Sequence, residues 1–179
     1  MSKNVLIFNT NQASKLQVQP IGEDYELIKW KPGTLKIIPP KQSISTFLFF
    51  WLFNYLKIFK NTRYSAYLLQ KKDEIITRIV VFPAFFRFPF MDKKDIQVGY
   101  IFSDSNYRGQ GLAKWTLKNI INDNLSKKIW YVTEEKNKAS IKLAQSCGLK
   151  LYAYGKRTEP LGISLFGKFI INKMTIDIN

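Results

Sequence analysis

The sequence predicts a mixed α/β fold with helices on both faces of one sheet. Three observations predict it. Short apolar or alternating runs recur along the chain, bounded by turn residues. Two segments in the second half have helical spacing instead. The order interleaves a hairpin with strand–helix–strand units, which lays helices on either side of a sheet. The 179 residues suit one domain with one sizeable core, and 1–179 is read as a single unit. Apolar residues make up 46%, which excludes a disordered chain.

"YELIKW" (25–30) and "TLKII" (34–38) read as short strands around the turn "KPG", and Pro39–Pro40 stops them. "KQSISTFLFFWLFNYLKIFK" (41–60) reads as an apolar helix. "RYSAYLLQ" and "DEIITRIVVF" form a hairpin around "KKD". Pro83 and Pro89 bend or end the next stretch, "PAFFRFPF". In "DIQVGYIFS" (95–103), alternation puts Ile96, Val98, Tyr100 and Phe102 on one face and Gln97, Gly99 and Ile101 on the other. After Gly111, Ala113, Leu117, Ile120 and Ile121 share a helical stripe. "KIWYVTE" (128–134) is a buried-strand pattern. "NKASIKLAQSCG" reads as a helix with Asn137 at its N-cap and Gly148 at its C-terminal end. Ser140, Leu143, Ala144 and Cys147 share one face of it. "LKLYAYGK" and "ISLFGKFIINKMTIDI" close the chain as strands.

There is no histidine, which removes histidine-based general bases, Ser-His-Asp triads and histidine metal sites. The lone Cys147 allows no internal disulfide and makes a zinc site an unfavourable reading, so no metal is expected. The opening "MSKNVLIFNT" lacks the apolar stretch and cleavage site of a signal peptide, and the protein is read as cytoplasmic. The net charge of +15 fits either a solvated lysine-rich surface or an anionic partner. Nucleic acid is the weaker partner, because the aromatics cluster in apolar runs instead of alternating with basic residues.

"YRGQGLA" (107–113) stands between a strand and a helix. A helix N-terminus offers unpaired amides and a positive dipole end. Glycines let the backbone approach a bulky anion, and Arg108 adds charge. The stretch therefore reads as a diphosphate cradle, against the blander reading of a tight turn with an exposed arginine. It fits neither the P-loop spacing nor the dinucleotide fingerprint, where Lys114 stands at the third glycine position.

"R-G-Q-G-L-A" resembles the R/Q-x-x-G-x-G/A signature of the Gcn5-related N-acetyltransferases (GNAT). "WYVTEEKNKASIKLAQSCGL" (130–149) is similar to that family's later motif: a strand, "N-x-x-S", an apolar helical run, then a glycine opening the next strand. The resemblance implies a mostly antiparallel sheet of about seven strands, splayed at the fourth and fifth, with acetyl-CoA between them. Ile101, Phe102 and Ser103 would offer backbone groups to the pantetheine arm. Arg108, Gly109, Gln110, Gly111, Leu112 and Ala113 would wrap the pyrophosphate. Asn137 and Ser140 would contact the arm, although helix capping alone accounts for them equally well.

The implied reaction moves an acetyl group from acetyl-CoA to an amine. Many members protonate the leaving thiolate with a tyrosine seven residues after the asparagine; that position here is Ala144. Glu134, where the fifth strand ends, is the candidate base, set against the plainer reading of a solvated carboxylate. Cys147 reads as a small buried residue, not a nucleophile. The apolar 41–61 segment lies where the family builds its acceptor site. "FLFFWLF" (47–53) there suits core, a homodimer contact or a peripheral membrane contact at the inner face. Together with "FRFPFMDKKDIQVGYIF", "YRGQGLA" and "NKASIK", the segment resembles acetyltransferases of bacterial surface-polysaccharide biosynthesis. That implies an amino sugar, nucleotide- or lipid-linked, as acceptor. A protein N-terminal acetyltransferase of the ribosomal-protein type and a non-catalytic acyl-CoA-binding module are the competing readings.

Overall fold

Lys72 and Asp73 both adopt positive φ, 46° and 66°, and so close a two-residue turn whose twist matches that of the strands it joins. Those strands are β3 (Ser65–Lys71) and β4 (Glu74–Pro83). The structure, a computed structural model, describes residues 3–10, 14–33, 35, 37–40, 44–59, 64–160 and 167–174. The remaining strands are β1 (Lys3–Asn9), β2 (Tyr25–Trp30), β5 (Ile96–Ser103), β6 (Ile129–Glu134), β7 (Lys150–Arg157) and β8 (Phe169–Met174). The helices are α1 (Ile44–Tyr55), α2 (Leu112–Asn122) and α3 (Lys138–Ser146). The eight strands form one sheet in the order β2-β3-β4-β5-β6-β1-β7-β8. Among the described residues only the β5–β6 ladder is parallel, and α2 supplies that crossover.

One face of the sheet packs Leu117, Ile120 and Ile121 of α2, Ala144 of α3 and Cys147 at its C-cap against Ile96, Val98 and Tyr131. The other packs Phe47, Phe50 and Phe53 of α1, with Phe85 and Phe88 from the loop after β4, against Phe82, Trp130 and Ala153. The second core is an aromatic one: Phe50 meets Phe82 edge-on at 4.7 Å and Phe59 meets Phe85 at 5.1 Å.

Four expectations change. Sequence reading puts the first strand at Tyr25, whereas Lys3–Asn9 is a central strand, antiparallel to β6 and β7. The described residues of "TLKII" are not in a strand: Leu35, Ile37 and Ile38 are irregular, Leu35 is 94% exposed, and 34 and 36 lie outside the described residues. β2 already forms the sheet edge, so the segment after it finds no ladder, and Pro32, Pro39 and Pro40 have no amide to give one. The α2 stripe turns slightly, burying Leu112 and Thr116 in place of Ala113. The alternation across 95–103 breaks in the middle of β5, at a bulge. The apolar helix is described from Ile44 to Tyr55, and 41–43 and 60–63 lie outside the described residues, as do 161–166 and 175–179 of the closing strands.

α1 resolves part of the ambiguity in its composition. Phe47, Phe50 and Phe53 are buried, while Leu48, Phe49 and Leu52 face outward. Its twelve residues span about 18 Å, short of the roughly 30 Å of a bilayer core. Among the described residues no helix is long and apolar enough to cross a membrane.

Candidate functional site

The turn into α2 is built by two glycines. Gly109 has φ 81° and Gly111 φ 78°, a region where a side chain is strained. Gly111 is the N-cap and supplies no side-chain cap. The first amides of α2 therefore face outward without a capping acceptor. A Cβ at either glycine would meet nothing within 4 Å, so the space over the loop is open. Arg108 donates from Nε to the Ser103 carbonyl at 3.2 Å, tying the loop back to the end of β5. Gln110 donates to the Asn106 carbonyl at 3.3 Å. Arg108, Gly109, Gln110 and Gly111 are exposed, Leu112 is buried in the core beneath, and Ala113 is half-buried.

β5 and β6 pair only over Ile96–Val98 with Ile129–Tyr131. Beyond that they part, which releases one edge of β5 from the ladder. On its other edge β5 bulges: Val80 pairs Gly99 and Arg78 pairs Phe102, so Tyr100 and Ile101 together oppose Ile79. Tyr100 carries the bend with φ 48°. The extra residue shifts the side-chain phase. Ile101 joins the Ile96 and Val98 face, and Tyr100 joins the face of Gln97 and Gly99. Ile101, Phe102 and Ser103 form the stretch between bulge and cradle.

α3 opens at Asn137, whose Oδ1 accepts from the Ser140 amide at 3.0 Å. Asn137 is thus a working cap. Ser140 Oγ lies 2.6 Å from Tyr131 Oη, joining α3 to β6 by a hydroxyl pair. Burial pushes the Tyr131 phenol up to about 12. Ala144 and Cys147 point into the core, and burial likewise raises the Cys147 thiol to about 11. The Cys147 thiol faces the Lys114 carbonyl at 3.7 Å, so α2 and α3 lie side by side. Both helices follow strands of the one parallel pair, so the two N-termini share its carboxyl end.

Glu134 closes β6. Its carboxylate is half exposed and pairs with Lys3 at 3.3 Å. By strand alternation it shares the face of Trp130 and Val132. On that face, where β5 and β6 separate, lies a cavity of about 370 Å³. Phe50, Phe85, Gly99, Tyr100, Val132 and Arg87 are among its walls. Sequence reasoning gives Arg87 and Tyr100 no role: "FRF" reads as an apolar run, and nothing local marks the bulge. Among the described residues no group of histidine, cysteine, aspartate and glutamate side chains could hold a metal.

A model of the acetyltransferase (GNAT) family matches residues 28–149. Several solved structures share the fold. A Drosophila protein aligns at TM-score 0.59 and 10% identity over 87% of this chain and 50% of its own. A GCN5-related N-acetyltransferase from Sphaerobacter thermophilus aligns at 0.56 and 10% over 85% and 49%. A GNAT-family acetyltransferase from Colwellia psychrerythraea aligns at 0.52 and 15% over 96% and 57%. The chain spans about half the length of these solved chains. No curated protein matches the sequence.

Proposed function

The chain belongs to the acetyltransferase (GNAT) family, and from that premise we propose that it moves an acetyl group from acetyl-CoA to the primary amine of a small molecule, an amino sugar carried on a nucleotide or a lipid. One observation carries the reading. A single strand, β5, links the open cradle at Arg108–Gly111 to the cavity beside Gly99 and Tyr100.

The residues present fit the co-substrate. The uncapped start of α2, with open space over two left-handed glycines, suits a pyrophosphate. The amides of Gly109, Gln110, Gly111, Leu112 and Ala113 would hold it, with Arg108 adding charge. When bound, acetyl-CoA supplies the acetyl group already activated as a thioester. The released edge of β5 at Ile101, Phe102 and Ser103 orients the arm, and an amide there donates to the acyl carbonyl. Asn137 caps α3 through Oδ1, which leaves its Nδ2 to donate to the arm. Ala144 is buried and has no proton to give, so the leaving thiolate takes its proton from water, and the Ser140 hydroxyl at the first turn of α3, held by Tyr131, donates a hydrogen bond to it. Glu134, on the cavity face of β6, takes the amine proton through water. The cavity volume is that of a small-molecule site, and its aromatic walls suit the face of a sugar or base.

Gly111→Trp tests the cradle. The substituent enters open space but at a positive φ, so a melting temperature a few degrees lower is expected. Calorimetric affinity for acetyl-CoA should fall at least a hundredfold, while circular dichroism stays native. Unchanged affinity in a folded variant would refute the cradle. Thiol release with glucosamine, a peptide amine and a polyamine then ranks the acceptors, and the amino sugar should lead.

A further inference from the structure

The cavity where β5 and β6 part holds two guanidiniums that acetyl transfer itself does not require. Arg87, on the loop after β4, is only 5% exposed. Its Nε donates to the Gly167 carbonyl at 3.1 Å, and its own carbonyl accepts from the Phe169 amide at 2.8 Å. Arg157 ends β7 and pairs with Phe169 across the β7–β8 ladder. Both guanidiniums lie over the Phe169 ring, at 5.4 and 5.9 Å. Burial lowers the proton affinity of Arg87, and the charge of Arg157 lowers it further; Tyr100 partly offsets both. The described residues lining the cavity include no carboxylate. Two cations on one wall of a restricted cavity raise the local potential, and the guanidinium fork matches the oxygens of carboxylate and phosphate.

We propose that the acceptor amine carries a carboxylate or phosphate, gripped by Arg87 and Arg157, while Phe50 and Tyr100 pack against its body. The proposal rests on the acetyl-transfer reading and narrows it. The anion sits at the arginine wall, and the amine reaches towards Gly99 and Val132, where the strands part. A cavity of about 370 Å³ sets the span between the two groups and favours a body no larger than a small molecule.

Calorimetry at fixed ionic strength, without thioester, compares glucosamine, glucosamine 6-phosphate and muramic acid. At least one of the two anionic sugars should bind tenfold or more tightly than glucosamine, and the tighter of them identifies the anion. Arg87→Met and Arg157→Gln should each bring that preference down to within about twofold. Arg87 is buried, and its variant can fail to fold; Arg157 is only part-buried, so Arg157→Gln, checked by its thermal melt, carries the test. Equal binding of the three sugars, absence of binding by all three, or a preference that survives in folded Arg157→Gln would each overturn the proposal. Acetyl-CoA is titrated separately. Its failure to bind would remove the acetyl-transfer reading, whereas a failed sugar preference with intact acetyl-CoA binding removes the anion grip alone.

Discussion

Tyr131 shows how one buried hydroxyl couples the fold to pH. Its phenol is surrounded by core and meets Ser140, and burial raises its pKa from 10 to about 12. The folded state therefore favours the protonated form. This contribution is complete below pH 10 and is lost as pH rises from 10 through about 12. Two decades of proton affinity at about 1.4 kcal/mol each come to roughly 3 kcal/mol. Cys147 acts in the same direction, from 9 to about 11. Urea midpoints should hold level from pH 7 to 9 and then fall steeply. Tyr131→Phe should lose about 1 kcal/mol at pH 7 with the hydrogen bond, and show a shallower fall above pH 10. A parallel fall in both proteins would mean that Tyr131 is not the titrating group. At this scale the sequence was half legible. Asn137 as a cap and the two glycines could be read from local chemistry, and Ala144 in place of a tyrosine only through the family resemblance. Tyr131 beside Ser140, or Arg87 beside Arg157, could not, because each pair is brought together only by strand pairing and helix docking.

Among the elements, the hairpin, the strands β5 and β6 and both later helices were legible, because each carries its own period and its own turn residues, although the parallel pairing of β5 with β6 came only from the structure. β1 was not. Five of its seven residues are buried, so it shows no alternation, and "NVLIFN" is short enough to be either strand or tail. Its place is decided by contacts far away in sequence: Val5 faces Glu134 on one side and Gly155 on the other. The close fit at Gly155, where a Cβ would come within 2.5 Å of the Ile170 carbonyl and 3.2 Å of Ile7, shows how tightly this half of the sheet is set. β6 and β7 do not pair with each other; β1 joins them. Ile7 is fully buried there. Ile7→Ala should cost about 2–5 kcal/mol by chemical denaturation, and Asn4→Ala, at an exposed position of the same strand, under about 0.5 kcal/mol. Similar costs at both positions would contradict a central β1. The β5 bulge was hidden for a related reason. Its sequence alternates up to Gly99 and then runs apolar through Tyr100, Ile101 and Phe102, which suits either face, and the shift in phase arises from how β4 pairs with it.

On the scale of the whole molecule, charge is the remaining variable. Lysine and arginine outnumber aspartate and glutamate by 28 to 13, giving +15. Such an excess opposes compaction, and it also draws in polyanions from beyond contact range. Which effect dominates is decided by where the charge lies relative to the cradle. Arg108 stands in the cradle, and Lys114 follows in the first turn of α2, so part of the excess lies close to the proposed pyrophosphate site. Coenzyme A is a polyanion, and at 0.1 M salt the screening length is about 10 Å, comparable to the reach of those side chains. Raising salt from about 0.05 to 0.5 M should therefore lower kcat/KM for acetyl-CoA severalfold through KM, with kcat nearly constant. Arg108→Gln should raise KM at low salt and flatten the slope, since it removes the nearest of the steering charges. A salt-independent KM would assign the surplus lysine to solvation alone. The anion grip at Arg87 and Arg157 would still stand, because charges inside a cavity are screened far less than charges on the surface.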